Sequence, residues 1–598
     1  MHRENIDKDL GTALITPNVP VEVGTKGTWR LEYKAGVTKV ETGGKIRFTI
    51  PHGFTAPQSK AFYDPGFVTV ETEVSDLELS IEIISDIFCR LDPSTGHSGA
   101  WGRSVFVTVE NGQMEKGDSL SLVYGNAEYY GGEAFSHAGA VCRELSGPAH
   151  FIVAVDPDGK RNAPFSGYSR LVNWPILNLK PSTISKIEAL LPTDCIEGDV
   201  PDAQIILLDQ FNNVVRVQRE KLELRGEGIV KRGIYNMEDG ISLPTNPIRL
   251  NKENRATSIF WGDIHGHTIH SDGVGTPEEY FEYARDVSKL DFTAITDHDD
   301  IGPRLMDEEW DLIRSVAEDY YKPGQLVTFI GHEYRNGNCD MNLYYPGTKG
   351  SLLRGTDDDL DDASVLTKKV KDLEGMIIPH MHFGADWSGF DPNVYRLIEV
   401  YSQHGCAEYR GCPREIPYLR KQLQKSSKTN QDCYIHDALK LGFRLGFTAG
   451  SDTHSARPGL SDWTRTSRTY LGGLTAVLAT ELTREGIWDA LKQRRCYATT
   501  GNRSILEFSV NQVNMGGEGT IKKGKSREIR VKCHADGVIQ KITVWRSGTA
   551  WIEEYVKGTT LEKVFMDDDS GESDWYYVRL DLEGGEMVWG SPVWIDVL

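Results

Sequence analysis

No stretch of this sequence is apolar for long enough to cross a bilayer. The opening residues, Met1-His2-Arg3-Glu4-Asn5-Ile6-Asp7, lack the apolar core of a secretory signal. A basic excess is missing too. Lys and Arg number 66 against 87 Asp and Glu, and the net charge of −21 argues against nucleic acid as a partner, because polyanion binders present basic faces. The nine cysteines (89, 142, 195, 339, 406, 412, 433, 496, 533) are odd in number and contain no CxxC pair. That pattern fits reduced thiols better than a disulfide framework. There is no internal repeat and no low-complexity tract. The expectation is a cytoplasmic protein that binds neither membrane nor nucleic acid; a homo-oligomer is compatible with it. A metal cluster would supply the local positive charge for a small anionic substrate.

At 598 residues with an apolar share of 39%, the chain is long enough for three or four units with their own cores. Residues 1–178 alternate short apolar runs with Gly, Pro and Asp, as in Gly44-Lys45-Ile46-Arg47-Phe48-Thr49-Ile50, which predicts an antiparallel β-sandwich. Residues 179–255 restart the same texture and read as a smaller, immunoglobulin-like β domain. The pattern changes near Phe260. Over 256–502, strands such as Phe292-Thr293-Ala294-Ile295-Thr296 and Leu326-Val327-Thr328-Phe329-Ile330 alternate with helical segments. One such segment, Glu278 to Val287, is opened by the Thr276-Pro277 cap. Strand–helix alternation predicts a parallel sheet or barrel with its chemistry at the strand C-termini. Residues 503–598 return to β texture and read as a C-terminal β-sandwich.

What this chain has in abundance is histidine in one place. Ten of its sixteen histidines lie between His265 and His454. They fall in clusters with carboxylates: Gly262-Asp263-Ile264-His265-Gly266-His267-Thr268-Ile269-His270-Ser271-Asp272-Gly273, Thr296-Asp297-His298-Asp299, His332-Glu333, Pro379-His380-Met381-His382, and Gly450-Ser451-Asp452-Thr453-His454. Imidazole and carboxylate together are the donor set of divalent Zn, Mn or Fe sites. On a strand, His265 and His267 share a face, and Asp452 and His454 repeat that spacing. A carboxylate such as Glu333, alone among imidazoles, is a natural bridge between two ions. Two close ions generate a hydroxide at neutral pH and clamp both oxygens of an in-line displacement at phosphorus.

These motifs resemble the PHP (polymerase and histidinol phosphatase) family. The likeness is carried by 262–273, by Leu-Asp-Phe-Thr-Ala-Ile-Thr-Asp-His-Asp at 290–299, and by Gly-Ser-Asp-Thr-His at 450–454. The resemblance covers roughly residues 258–500 and implies a distorted (β/α)7 barrel flanked by β-sandwich domains, with two or three divalent metal ions. Carried over by position, His265, His267, Glu333 and Asp452 would hold one ion. Glu333 and His380 would hold a second, and Asp272, His298 and His454 a third. Where the family often has a histidine after the bridging Glu, this chain has Asp340-Met341-Asn342-Leu343. The second ion would then recruit His404 or His382.

Other residues leave alternatives open. His270 reads equally as a proton donor or as a turn residue, and Arg457 as a phosphate clamp or a loop ion pair. Asp297 is placed to orient a ligand; Arg304, Arg410 and Arg414 are weaker phosphate candidates. The acidic run at 357–362 lacks the spacing of a calcium loop and reads as a solvated loop. The favoured activity is hydrolysis of a small-molecule phosphate or phosphonate ester by a metal-bridging hydroxide. The alternatives are a carboxylic ester or amide hydrolase, and a glycan-type binding protein with an inactive barrel.

Overall fold

The computed structural model describes residues 9–85, 103–129, 139–160, 168–237, 240–252, 256–299, 305–335, 340–347, 349–357, 359–360, 362–380, 387–416, 434–460, 472–569 and 571–598. The chain is mostly β, with 47% of residues in strands and 11% in helices, and is built from several units. Among the described residues no helix is long and apolar enough to cross a membrane.

The N-terminal unit is built on two facing sheets, with a two-stranded and a three-stranded sheet beside them. One orders Gly11–Thr16, Trp29–Ala35, Ser119–Tyr124 and Val68–Thr72, and the other runs from Ser169–Arg170 to Glu78–Ser85. Period-two alternation turns Trp29, Leu31 and Tyr33 inward from the first sheet, where they meet Ile46, Phe48, Val105 and Val107 of the second in one core. Residues 184–251 form two further small sheets around Ala189, Leu191, Ala203, Ile205 and Ile248.

The central unit carries the histidine clusters. Its strands are β1 (Ser258–Asp263), β2 (Phe292–Ile295), β3 (Val327–Arg335), β4 (Asp340–Tyr345), β5 (Met376–His380), β6 (Leu397–Ser402), β7 (Gly446–Ala449), β8 (Leu474–Ala479) and β9 (Cys496–Thr499). The main helices are α1 (Pro277–Asp286), α2 (Asp307–Tyr320), α3 (Ala363–Asp372), α4 (Ile435–Lys440) and α5 (Arg484–Lys492). Helix α1 starts where the Thr276-Pro277 pair predicts. Thr276 accepts from Glu279 N, Glu279 reaches back to Thr276 N, and Pro277 fills the first turn.

The sheet is mixed. Strands β1, β2 and β3 are parallel, as are β5, β6 and β7, but β4 runs antiparallel to both neighbours and β8 antiparallel to β1. Strand–helix alternation therefore holds in part: β3 and β4, consecutive in the chain, pair antiparallel. The two ends of the path β7-β6-β5-β4-β3-β2-β1-β8 touch through a side chain: the Thr475 hydroxyl donates to Ala449 O (2.8 Å) and accepts from Ala449 N (3.0 Å). Its inward side chains, Ile264, Phe292, Phe329, Tyr344, Met376, Ile378 and Leu397, pack beneath the clusters as an apolar floor.

The C-terminal strands continue the same hydrogen-bonded sheet: β9 pairs with Met587–Gly590. They include a long hairpin, Arg527–Arg546 with Thr549–Asp567, turned at Ser547-Gly548. Both turn residues have positive φ (44° and 83°), the conformation a two-residue hairpin loop demands.

Candidate metal centre

The donor residues sit at one end of the central sheet. His265 and His267 follow β1, and Gly266 between them bridges to Thr453 in parallel fashion. His298 follows β2 and bridges Glu333 near the end of β3. His380 ends β5, His404 follows β6, and Asp452 and His454 follow β7. Asp452 holds a left-handed backbone (φ 54°), sparsely populated for a residue with a side chain. Its N–H donates to His265 O at 2.8 Å, which ties the two ligand loops together.

Three overlapping sets of donors lie within 4.8 Å of one another: His267, Asp272, His298 and His454; His265, His380 and Asp452; and His265, His267 and Glu333. Asp452 stands between them. Its Oδ1 is 3.0 Å from His267 Nε2 and 3.6 Å from His265 Nε2, while its Oδ2 is 2.7 Å from His404 Nε2 and 3.6 Å from His380 Nε2. Glu333 Oε2 faces His265 Nε2 (3.5 Å), His267 Nε2 (3.3 Å) and His298 Nδ1 (3.3 Å). Asp272 Oδ1 lies 3.1 Å from His454 Nε2 and 3.8 Å from His298 Nε2. Two donors bound to one tetrahedral ion at about 2.0–2.1 Å are about 3.3 Å apart, so the separations of 3.3–3.6 Å are compatible with shared ligands, while those of 2.7 and 3.0 Å are hydrogen-bond distances. His265 Nε2 is buried without a well-formed hydrogen bond, as a ligand atom in waiting would be. The donor set and its spacing fit divalent ions.

Burial opposes charge on His267, His298, Glu333 and Asp452, and its balance against their neighbours decides the outcome. The His267 imidazole is pushed up to about 10 because hydrogen bonds to Asp452 and Glu333 outweigh its burial. His298 falls to about 3, burial prevailing over the Glu333 and Asp272 charges. Burial would raise both Glu333 and Asp452, yet the surrounding imidazoles hold them well below the carboxylate range. In the absence of an ion, the buried carboxylates hold protonated imidazoles beside them, and a metal ion would take the place of those protons.

Several nominated residues do other work. Asp297 does not reach a ligand imidazole: it accepts from Thr268 N (2.7 Å), Thr268 Oγ1 (2.6 Å) and Ser271 Oγ (2.5 Å), and so fixes the loop bearing His267, His270 and Asp272. Arg457 is taken up by the seam with the β domains, donating to Ser146 O (3.3 Å), Ser146 Oγ (3.2 Å) and Asn212 O (3.4 Å), with its guanidinium over Tyr283. His270 lies beside the cage with Nδ1 3.2 Å from Glu309, which also pairs with Arg170 of the N-terminal unit at 2.9 Å. His332 faces away from Glu333, as strand alternation requires, and bonds Leu353. Arg414 reaches Gly584 and Glu586, Arg410 lies beside Tyr434, and Asp362 caps α3. His382, Arg304, Asp358 and Asp361 lie outside the described residues.

Two residues escaped the sequence reading. Arg335 follows Glu333 by two positions on the same face of β3; its Nε is 3.0 Å from Asp340, and its charge bears on His298. Glu399 lies on β6 and touches two of the histidines. The signal for Glu399 was a carboxylate in the apolar run Ile398-Glu399-Val400-Tyr401.

Comparison with known proteins adds little about chemistry. A family described as "Protein of unknown function (DUF3604)" matches residues 449–520, a stretch that includes Asp452 and His454. An uncharacterized protein of Chlamydia muridarum is 25% identical over 539 residues, covering 81% of this chain and 84% of the relative. One from Chlamydia trachomatis is 24% identical, covering 98% of this chain and 99% of its own. Among solved structures, a two-domain protein from Bacteroides vulgatus containing a predicted PHP-like metal-dependent phosphoesterase is 16% identical with a TM-score of 0.31. The match covers 57% of this chain and 96% of that one. A likeness of that degree leaves the function to be read from the site's own residues.

Proposed function

We propose that this chain is a metal-dependent hydrolase acting on a small phosphate or phosphonate ester, with residues 256–502 forming a distorted PHP-type barrel. The observation that carries this reading is the convergence of nine donors, His265, His267, Asp272, His298, Glu333, His380, His404, Asp452 and His454, from six strand ends onto one buried cage. A cage of that size is more than one ion needs. Two or three divalent ions such as Zn, Mn or Fe would supply Lewis acidity and a nucleophile at neutral pH.

The chain's own residues position the rest. Asp452 would be shared between the His265–His267 side and the His380–His404 side, and Glu333 between the first side and His298. Asp297 keeps the 268–272 loop in place, so that His270, held at Nδ1 by Glu309, has Nε2 left to take up a proton and, as the imidazolium, to deliver it to a leaving oxygen. Arg335 is the cation placed to meet the ester's negative charge. A small anionic substrate suits this arrangement, and the chain's net charge of −21 argues against a nucleic acid.

The test is turnover of aryl phosphate mono- and diesters by protein reconstituted with zinc or manganese. The reading expects hydrolysis that a chelator abolishes and metal restores. Protein that holds metal but cleaves only carboxylic esters or amides would overturn the phosphoester assignment.

A further inference from the structure

We propose that Glu399 orients two metal-ligating histidines at once, so that a single carboxylate sets the ligand form of His265 and His380 on neighbouring ion positions. This rests on the reading that those two histidines hold ions, and it assigns a role to a residue outside the donor sets.

Glu399 stands on β6 between Ile398 and Val400, which pack into the apolar cluster behind the strand. Alternation turns Glu399 the other way, toward the cage, where its side chain is only 4% exposed. The register places it directly beside His380 on β5. Its Oε1 lies 2.7 Å from His380 Nδ1, and its Oε2 lies 2.9 Å from His265 Nδ1. Each carboxylate oxygen thus faces one imidazole nitrogen, in a hydrogen bond at His265 and in a close charged contact at His380. Room for this double contact depends on Gly450 after β7. A Cβ there would stand 2.6 Å from His265 Cβ and 3.0 Å from Glu399 Oε2, so a side chain would push both groups out of place.

The chemistry follows from what a carboxylate can do. Ionised, it only accepts, so both histidines must carry their hydrogen on Nδ1. The lone pair is then left on Nε2 in both rings. Those Nε2 atoms are the ones that face Asp452, at 3.6 Å each. His265 belongs to two of the donor sets and His380 to one of these. One carboxylate therefore supports ligands of adjacent ions, and its loss is felt at both. An imidazole released from such a partner typically costs 10–100-fold in metal affinity.

Glu399→Gln is the discriminating variant because it keeps the shape. The amide retains one acceptor oxygen and puts an NH2 donor against the other imidazole. That ring must then accept at Nδ1 and place its hydrogen on Nε2, which removes the lone pair the ion needs. Competitive chelator titration with zinc, on the full chain, should show wild type loading at least two ions. Folded Glu399→Gln should bind zinc about 10–100-fold more weakly and hold fewer ions. Should the variant not fold, the wild type still decides. In zinc-loaded protein labelled with 15N-histidine, His265 and His380 should both show hydrogen on Nδ1, with assignment by His265→Gln and His380→Gln. Equal zinc affinity and stoichiometry in folded Glu399→Gln, or either imidazole protonated at Nε2, overturns the proposal. A wild-type chain that takes up no zinc overturns the metal reading itself, a failure distinguished by its presence before any substitution.

Discussion

Replacing Arg170 with Met removes a buried charged contact that ties the N-terminal sandwich to the side of the cage. Arg170 Nη1 lies 2.9 Å from Glu309 Oε1, with side chains 3% and 5% exposed, so solvent does little to screen the pair. Burial alone would raise the Glu309 carboxyl, but the Arg170 charge and the His270 hydrogen bond hold it at about 2. Relative to an ordinary glutamate that depression corresponds to about 3 kcal/mol, within the range for breaking one side of a buried pair. The sign follows from the direction. A depressed carboxyl stabilises the folded state above its unfolded pKa near 4.5, and that stabilisation is lost as pH falls toward 2. The deficit of Arg170→Met is therefore largest at neutral pH and shrinks below about pH 5, as the stranded Glu309 takes up a proton. Urea unfolding from pH 7 to pH 3, with hydrogen exchange of residues 268–275, measures both the global and the local effect. The loop should loosen because Ile269 and Val274 pack on Leu145 and Ile152 of the same sandwich. A difference under about 0.5 kcal/mol at pH 7, or one that grows on acidification, would refute the reasoning.

Asp452→Asn removes the charge shared by His265, His267, His380 and His404, so it should lose at least one ion and reduce aryl phosphate turnover on the order of 10³-fold; metal analysis and kinetics on the same sample check this. Asp272→Ala should cut kcat/KM on the order of 10²-fold, with partial recovery in excess metal, and a normal metal complement with normal turnover would leave the site binuclear. Since the His267 imidazole is pushed up to about 10 in the ion-free cage, metal uptake at neutral pH should release protons and tighten as pH rises. Calorimetry in buffers of different ionisation enthalpy reads that release directly, and none would be seen if the imidazole is already neutral.

Much of the site was legible because metal chemistry uses few residue types at short spacings. His265, His267 and Asp272 lie within one loop, and Asp452 and His454 within another, so sequence distance alone brought them together. Glu399 was not legible as an orienting group. Its partners are 134 residues before it, just after β1, and across the sheet on β5, and only the fold reveals them. Arg457 misled for the same reason: a loop arginine next to a ligand motif looks like a phosphate clamp, yet its partners lie 245 and 311 residues away in other units. The strand–helix rhythm likewise failed to show that β3 and β4 pair antiparallel. The residues between Glu333 and Asn342 carry no helical pattern, and the structure pairs the two directly.

Counting metal is the most direct test of the central claim. Full-length protein, reconstituted with zinc or manganese and freed of excess ion, should retain at least two ions per chain by elemental analysis, and the Asp452→Asn protein fewer. A wild-type chain carrying no Zn, Mn, Fe or Co above background after reconstitution would contradict the account of the cage as a metal centre.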